Sequence, residues 1–267
     1  MNEGQELVRL GRDDRGVVTL SLNRPDRHNA LSAPLVETLD ALLQRLAGDT
    51  AVRVVVLTGT GRSFCAGADI GEMRAAAEAT HEVNERDARR LAVLLQRLDR
   101  FPRPTLARVQ GNAFGGALGL IAACDIAIGS ETAGFALSEV RLGIAPAMIS
   151  PYVLRAIGER HARRLCLTGE RFSAATAARI GLLHEVVEPE GLDAAVTEVV
   201  FALLQGAPAA QAEIKDLLAR VAGRDEATDL ELVASTAEWI ARLRAAPEGR
   251  EGLSAFLEKR AARWVRG

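Results

Sequence analysis

Two stretches of this chain are stripped of side-chain bulk, and a third sets a carboxyl group among apolar neighbours. The segment "TGTGRSFCAGADI" (58–70) turns on Gly59 and Gly61 and reaches Asp69 through nothing larger than Ala66, Gly67 and Ala68. The segment "GNAFGGALGL" (111–120) sets Gly115 and Gly116 at the head of an apolar, helix-like run. Both place small residues where a strand ends and a helix begins, and there the first backbone N–H groups lack internal partners. Two such groups converging from separate loops would hold an oxygen as it gains negative charge, which is the chemistry of an oxyanion hole. The alternative is that the small residues only permit close helix–strand packing. A phosphate cradle fits less well, because "GNAFGGALG" matches neither GxGxxG nor GxxxxGK[ST].

The third stretch is "FALSEVRLGIAPAMISP" (135–151), where Glu139 lies between strand-like residues and the breakers Gly143 and Pro146. Held partly dry, a carboxyl there would have a raised pKa suited to proton transfer near neutral pH. The alternative is a surface glutamate paired with Arg141. No metal site is expected: Cys65, Cys124 and Cys166 lie far apart with no CxxC pair, and none of the four histidines pairs with another at helical ligand spacing.

These loops need strands and helices to hold them. "GVVTLSL" (16–22) alternates like a strand, and "VRVVVLTG" (52–59) is a continuous apolar run of the kind buried on both faces. Between them "SAPLVETLDALLQRL" (32–46) reads as an amphipathic helix with Ser32 as its N-cap. Strand, helix and buried strand predict a crossover unit and an α/β core. "TLARVQG" (105–111) and "CDIAIG" (124–129) continue the strands, and "RDARRLAVLLQRLDR" (86–100) reads as an amphipathic helix. After about residue 190 helix follows helix. The expected organisation is a core over 1–190 and a helical region over 191–267 that packs on that core or on a neighbouring subunit.

Composition suits a globular protein: 267 residues, 48% hydrophobic and 25% charged, with a formal net charge of -2 and 4% aromatics. That balance supplies neither a broad basic surface nor many stacking platforms, so no nucleic-acid or membrane partner is expected. The polar, acidic N-terminus lacks the apolar core of a signal peptide, and a cytoplasmic location is expected.

Taken together, "LNRPDRHNAL", "GRSFCAGADI", "VQGNAFGGALGL", "ALSEVRLGIAPAMISPYV" and "EGLSAFLEKR" resemble the crotonase superfamily, the enoyl-CoA hydratase/isomerase family, across nearly the whole chain. The resemblance implies an α/β spiral of repeated ββα units, C-terminal helices that complete the site and build a homotrimer or a dimer of trimers, and an acyl-CoA thioester substrate. No separate cofactor is implied, because coenzyme A is part of that substrate. It further implies that the N–H groups of Ala68 and Gly116 hold the thioester oxygen and that Glu139 is the catalytic acid/base. Ala66 and Ile70 match positions along the adenine and pantetheine path, and Asp69 adjoins them as a helix cap. Arg27, His28 and Ala30 fall in an early CoA-contacting segment. Phe256 and Lys259 match positions that reach a CoA, often that of a neighbouring subunit.

One position departs from the pattern. Two-glutamate hydratases of the family carry a second glutamate three residues after the second glycine of the pair, where this chain has Gly119. Methylglutaconyl-CoA hydratases and carboxygeranoyl-type hydratases are the members it most resembles, which implies a branched, carboxylated enoyl-CoA such as 3-methylglutaconyl-CoA. Arg141 and Arg74 are candidate partners for the distal carboxylate. A Δ3,Δ2-enoyl-CoA isomerase using Glu139 alone is the alternative, and a non-catalytic CoA-ester or RNA-binding protein the alternative of another class.

Overall fold

The computed structural model describes residues 6–265; the side chains of Ile70, Arg74, Ala77 and Glu78 lie outside the described residues. The chain opens with an antiparallel pair, β1 (Val8–Arg12) and β2 (Val17–Leu22), followed by helix α1 (Ala33–Ala47). Three turns of a spiral follow. The first is β3 (Val54–Gly59), β4 (Ser63–Cys65), α2 (Ile70–Glu78) and α3 (His81–Asp99). The second is β5 (Thr105–Val109), β6 (Asn112–Phe114) and α4 (Gly116–Ala123). The third is β7 (Ile126–Ser130), β8 (Gly134–Ala136), a short 3-10 turn over Glu139–Leu142, and α5 (Ser150–Thr168). Strand β9 (Arg171–Ser173), helix α6 (Ala174–Arg179) and strand β10 (Glu185–Val187) close the core. Helices α7 (Leu192–Gln205), α8 (Pro208–Val221), α9 (Glu226–Ala245) and α10 (Pro247–Leu257) complete the chain.

Each turn of the spiral gives one strand to each of two sheets. The six-stranded sheet runs β1-β2-β3-β5-β7-β10, parallel from β2 onward, and the four-stranded sheet runs β4-β6-β8-β9 with only β9 antiparallel. All six residues of β3 are buried, as the apolar run predicts for a strand covered on both faces. Phe135 of β8 stacks on Phe172 of β9 with ring centroids 5.6 Å apart, locking the small sheet's last pair.

Three expectations are corrected in detail. The chain begins its sheet earlier than residue 16, with β1 paired to β2. The strand expected at 124–129 starts at Ile126, because Cys124 ends α4 and the Asp125 carboxylate instead accepts hydrogen bonds from the Thr105 N–H and hydroxyl and from Lys215. Ser32 does precede α1, but its side chain caps nothing; the Ala33 N–H donates to Glu72 Oε1 at 3.3 Å, so α2 supplies the acceptor. Among the described residues no single helix is long and apolar enough to cross a membrane.

Candidate active site

The small sheet aims the chemistry. Strands β4, β6 and β8 are adjacent and parallel, with Cys65 beside Ala113 and Phe114 beside Ala136 in register. The segments leaving their C-terminal ends are therefore neighbours: Ala66–Ala68, Gly115–Gly116 and Leu137–Glu139. A Cβ on Gly67 would lie 2.7 Å from the Phe114 carbonyl oxygen, and Gly67 has φ +85°, so the first two segments touch backbone to backbone only because this residue is glycine. A Cβ on Gly115 would lie 3.0 Å from Glu139 Oε1, which brings the carboxyl against the N-terminus of α4.

Leu31, just before α1, straps the first loop. Its N–H donates to Gly67 O at 2.7 Å, its carbonyl accepts from Asp69 N at 3.0 Å, and its Cδ1 lies 3.0 Å from where a Gly116 Cβ would be. This pairing leaves the Ala68 N–H facing away from Leu31. Among the described residues neither the Ala68 nor the Gly116 N–H donates to a protein group. Two side chains, the buried Asn29 and the half-buried Gln110, hold the loop. Asn29 Nδ2 donates to Thr60 O at 2.9 Å and Ser63 O at 2.8 Å, and Gln110 Nε2 donates to Gly59 O at 2.6 Å.

Asp69 caps α2 by accepting from the Gly71 N–H at 2.8 Å. Burial raises its pKa, but the hydrogen bonds from Arg24 and the Gly71 N–H outweigh this and hold the carboxyl below its ordinary value. Glu139 shows the opposite balance. Its Oε2 is buried without a protein partner among the described residues, and burial pushes the carboxyl up to about 7 against a weaker hydrogen bond from its own backbone. Arg141 does not offset this: among the described residues no ion pair joins it to Glu139, so the surface-pair alternative is not what the fold builds. The turn carrying Glu139 is fixed from behind, since a Cβ on Gly252 of α10 would lie 2.2 Å from the Leu142 carbonyl carbon.

All three groups open onto one cavity of about 540 Å³. Ala66, Ala68, Gly116, Glu139 and Phe256 line it, together with apolar residues such as Leu91, Ile144 and Met148 and the charged residues Glu72, Asp87, Arg90, Arg141, Arg171 and Arg244. The other expected binding residues are not part of its wall. Arg27 and Lys259 are exposed, Ala30 is buried, Asp69 turns to Arg24, and His28 is held in the left-handed region with Nδ1 3.0 Å from Ser63 Oγ. Ile70 and Arg74, also expected near the ligand, have side chains outside the described residues. Sequence reasoning missed Leu31, Asn29, Glu72 and Arg244. Asn29 and Leu31 stand inside the quoted "LNRPDRHNAL" but signal no chemistry by type, and Arg244 looks like one more surface charge on a helix.

Gly119 faces α5, and the space is filled. A Cβ there would lie 2.3 Å from Ile149 Cγ2 and 3.3 Å from Leu95 Cδ1, so the place where a second glutamate would begin is packed with hydrocarbon.

Free N–H groups from two loops, beside a carboxyl that titrates near neutrality, can bind a carbonyl oxygen and move a proton next to it. Comparison with known proteins gives this arrangement its setting. Residues 12–267 match the family model described as enoyl-CoA hydratase/isomerase. The chain is 35% identical over 252 residues to the mevalonyl-coenzyme A hydratase of Aspergillus fumigatus, an alignment covering 93% of this chain and 91% of that protein. It is 33% identical over 250 residues to the short-chain-enoyl-CoA hydratase of Clostridium acetobutylicum, covering 91% and 92%. The crystal structure of an enoyl-CoA hydratase from Shewanella pealeana aligns with a TM-score of 0.80 at 42% identity, over 98% of this chain and 97% of that one.

Proposed function

Since this chain belongs to the enoyl-CoA hydratase/isomerase family, we propose that it adds water across the α,β double bond of an enoyl-CoA, with a branched, carboxylated acyl group such as 3-methylglutaconyl as its preferred substrate. The observation that supports it is the exit of two unpaired N–H groups and one neutral-range carboxyl from three adjacent strands into a single cavity. The thioester carbonyl oxygen accepts hydrogen bonds from the Ala68 and Gly116 N–H groups, and the positive end of α4 adds to the field. Glu139, as carboxylate, takes a proton from water as its oxygen bonds to C3. The electron pair of the double bond moves to the thioester as an enolate, and Glu139 returns the proton to C2. With Gly119 unable to supply a second carboxyl, Glu72 on α2 is the polar group of the cavity wall assigned to orient the water.

Ala66 and Phe256 are assigned to the pantetheine arm, and the exposed cations Arg27 and Lys259 to the nucleotide phosphates farther out. A homotrimer or dimer of trimers fits the exposed apolar residues Ile214, Leu217, Leu218 and Val221 on α8.

The test is water addition to 3-methylglutaconyl-CoA beside crotonyl-CoA, followed by loss of the conjugated thioester absorbance and product mass. Hydration of crotonyl-CoA alone would remove the carboxylated substrate. Hydration of neither, with a 3-enoyl-CoA converted to the 2-enoyl isomer without a mass change, would replace the hydratase with an isomerase.

A further inference from the structure

Arg244 sits in the last turn of α9, on the same face as Ile240 one turn earlier, and both line the cavity shared by Glu139, Ala68 and Gly116. Its backbone position is fixed by the α9–α10 corner, where a Cβ on Gly249 would lie 2.1 Å from Leu243 O and 3.2 Å from the Arg244 Cα. Among the described residues its guanidinium makes no ion pair and no hydrogen bond, although it is half-buried. Two cavity carboxylates lie near enough to favour its charge, Asp87 and Glu72, but among the described residues neither makes an ion pair with it: Asp87 pairs with Arg90, and Glu72 accepts from the Ala33 N–H at 3.3 Å. Arg90 in turn bonds Glu37 at 2.8 Å. Burial opposes the charged guanidinium and lowers its pKa, yet an arginine stays protonated, so a donor fork with unmet capacity faces an otherwise mostly apolar wall. The C-terminus of α9 offers it a favourable dipole, which accounts for a cation at this position but leaves its planar donors unfilled.

We infer that Arg244 is the residue that selects an acyl chain ending in a carboxylate, by donating two parallel N–H bonds to that carboxylate inside the cavity. This deepens the proposed function and rests on its site. It also relocates the selection from Arg141, which lines the same cavity but is exposed beside Gly169, and from Arg74. A charge-assisted, two-point contact that replaces water discriminates against an apolar chain end by roughly 10- to 100-fold.

The experiment measures binding without turnover. Calorimetry with saturated glutaryl-CoA and pentanoyl-CoA, which match in chain length and differ in the terminal carboxylate, is run on the full-length protein and on Arg244→Met and Arg244→Lys. The expected result is at least about a 10-fold preference for glutaryl-CoA in the unmodified protein, loss of that preference in Arg244→Met, and partial retention in Arg244→Lys, with affinity for free coenzyme A unchanged throughout. No preference in the unmodified protein overturns the inference. So does an equal loss for both thioesters in Arg244→Met, which would make the residue structural or part of CoA binding. Because neither ligand can be hydrated, a failed hydratase assay and a failed carboxylate preference are separate results.

Discussion

Ile149 occupies the space that any side chain on Gly119 would need, its Cγ2 lying 2.3 Å from the position of a Gly119 Cβ. Both residues are buried, one inside α4 and the other at the entry to α5, so neither can swing into solvent. Gly119→Ala should therefore destabilise the protein by about 1–3 kcal/mol, even though alanine in a helix interior normally gains about 1 kcal/mol over glycine. Ile149→Ala in the same chain should recover much of that loss. Denaturant melts of the two single variants and the double variant measure the coupling, and simple additivity would mean that the contact is looser than the geometry shows.

Glu139→Gln removes the proposed proton carrier while keeping shape. Turnover should fall by roughly 10²–10⁴-fold, with the affinity for a saturated acyl-CoA changed by less than about threefold. A variant retaining most of its kcat would take Glu139 out of the reaction.

The raised pKa of Glu139 sets two pH dependences. Hydration needs the carboxylate, so kcat/KM should rise with pH through a midpoint near 7 and level off above it. Stability runs the other way. The folded pKa of about 7 stands above the unfolded value of about 4.3, so the contribution is fully present below 4.3 and is lost as pH rises through 7. Glu139→Gln should accordingly melt higher than the unmodified protein at pH 8, by roughly 1–2 kcal/mol once solvent access through the cavity is allowed for, and the gain should shrink toward pH 5. Equal melting differences at both pH values would place the carboxyl in an ordinary aqueous environment.

Gly67→Ala sets a methyl against the Phe114 carbonyl and forces a left-handed backbone on a residue with a Cβ. Pushing the loops apart by a few tenths of an ångström misplaces the Ala68 N–H. The expected loss is about 10²–10³-fold in kcat, read beside a modest drop in melting temperature. Unchanged kcat in a destabilised variant would separate this glycine from the alignment of the donors.

Much of the large sheet is legible in the sequence, because its strands are long enough to show a pattern: the buried run at 52–59 becomes β3, and "TLARV" becomes β5. The small sheet is not, since β4, β6, β8 and β9 have three residues each, too few for alternation to register. Yet this sheet aims the site, and its place was visible only through the strand-like residues ahead of Glu139, which become β8, and the glycines and alanines at its strand ends. The cavity's chemistry was legible where residue type announces it, at Glu139, and hidden where it does not. Leu31 acts through its backbone. Arg244 acquires its setting only when α9 folds against the cavity, and nothing in a helix's local pattern tells an inward-facing arginine from a solvated one. Ser32 failed as a cap because its rival, Glu72, comes from a helix about forty residues away and is set by tertiary packing.

Leu31 holds the Ala68 loop through peptide groups and meets Gly116 with a methyl, so the two donors assigned to the thioester oxygen are spaced by the fold itself. Those donors are themselves peptide groups, and every codon supplies one except proline. A mutation can therefore displace this half of the site, but it can delete a donor only by writing proline. In the proposed reaction, the heritable variation open to such a scaffold lies in what surrounds the held oxygen: which side chain is set to deliver the proton, whether position 119 carries an acid or yields its room to hydrocarbon, and which charges line the rest of the cavity.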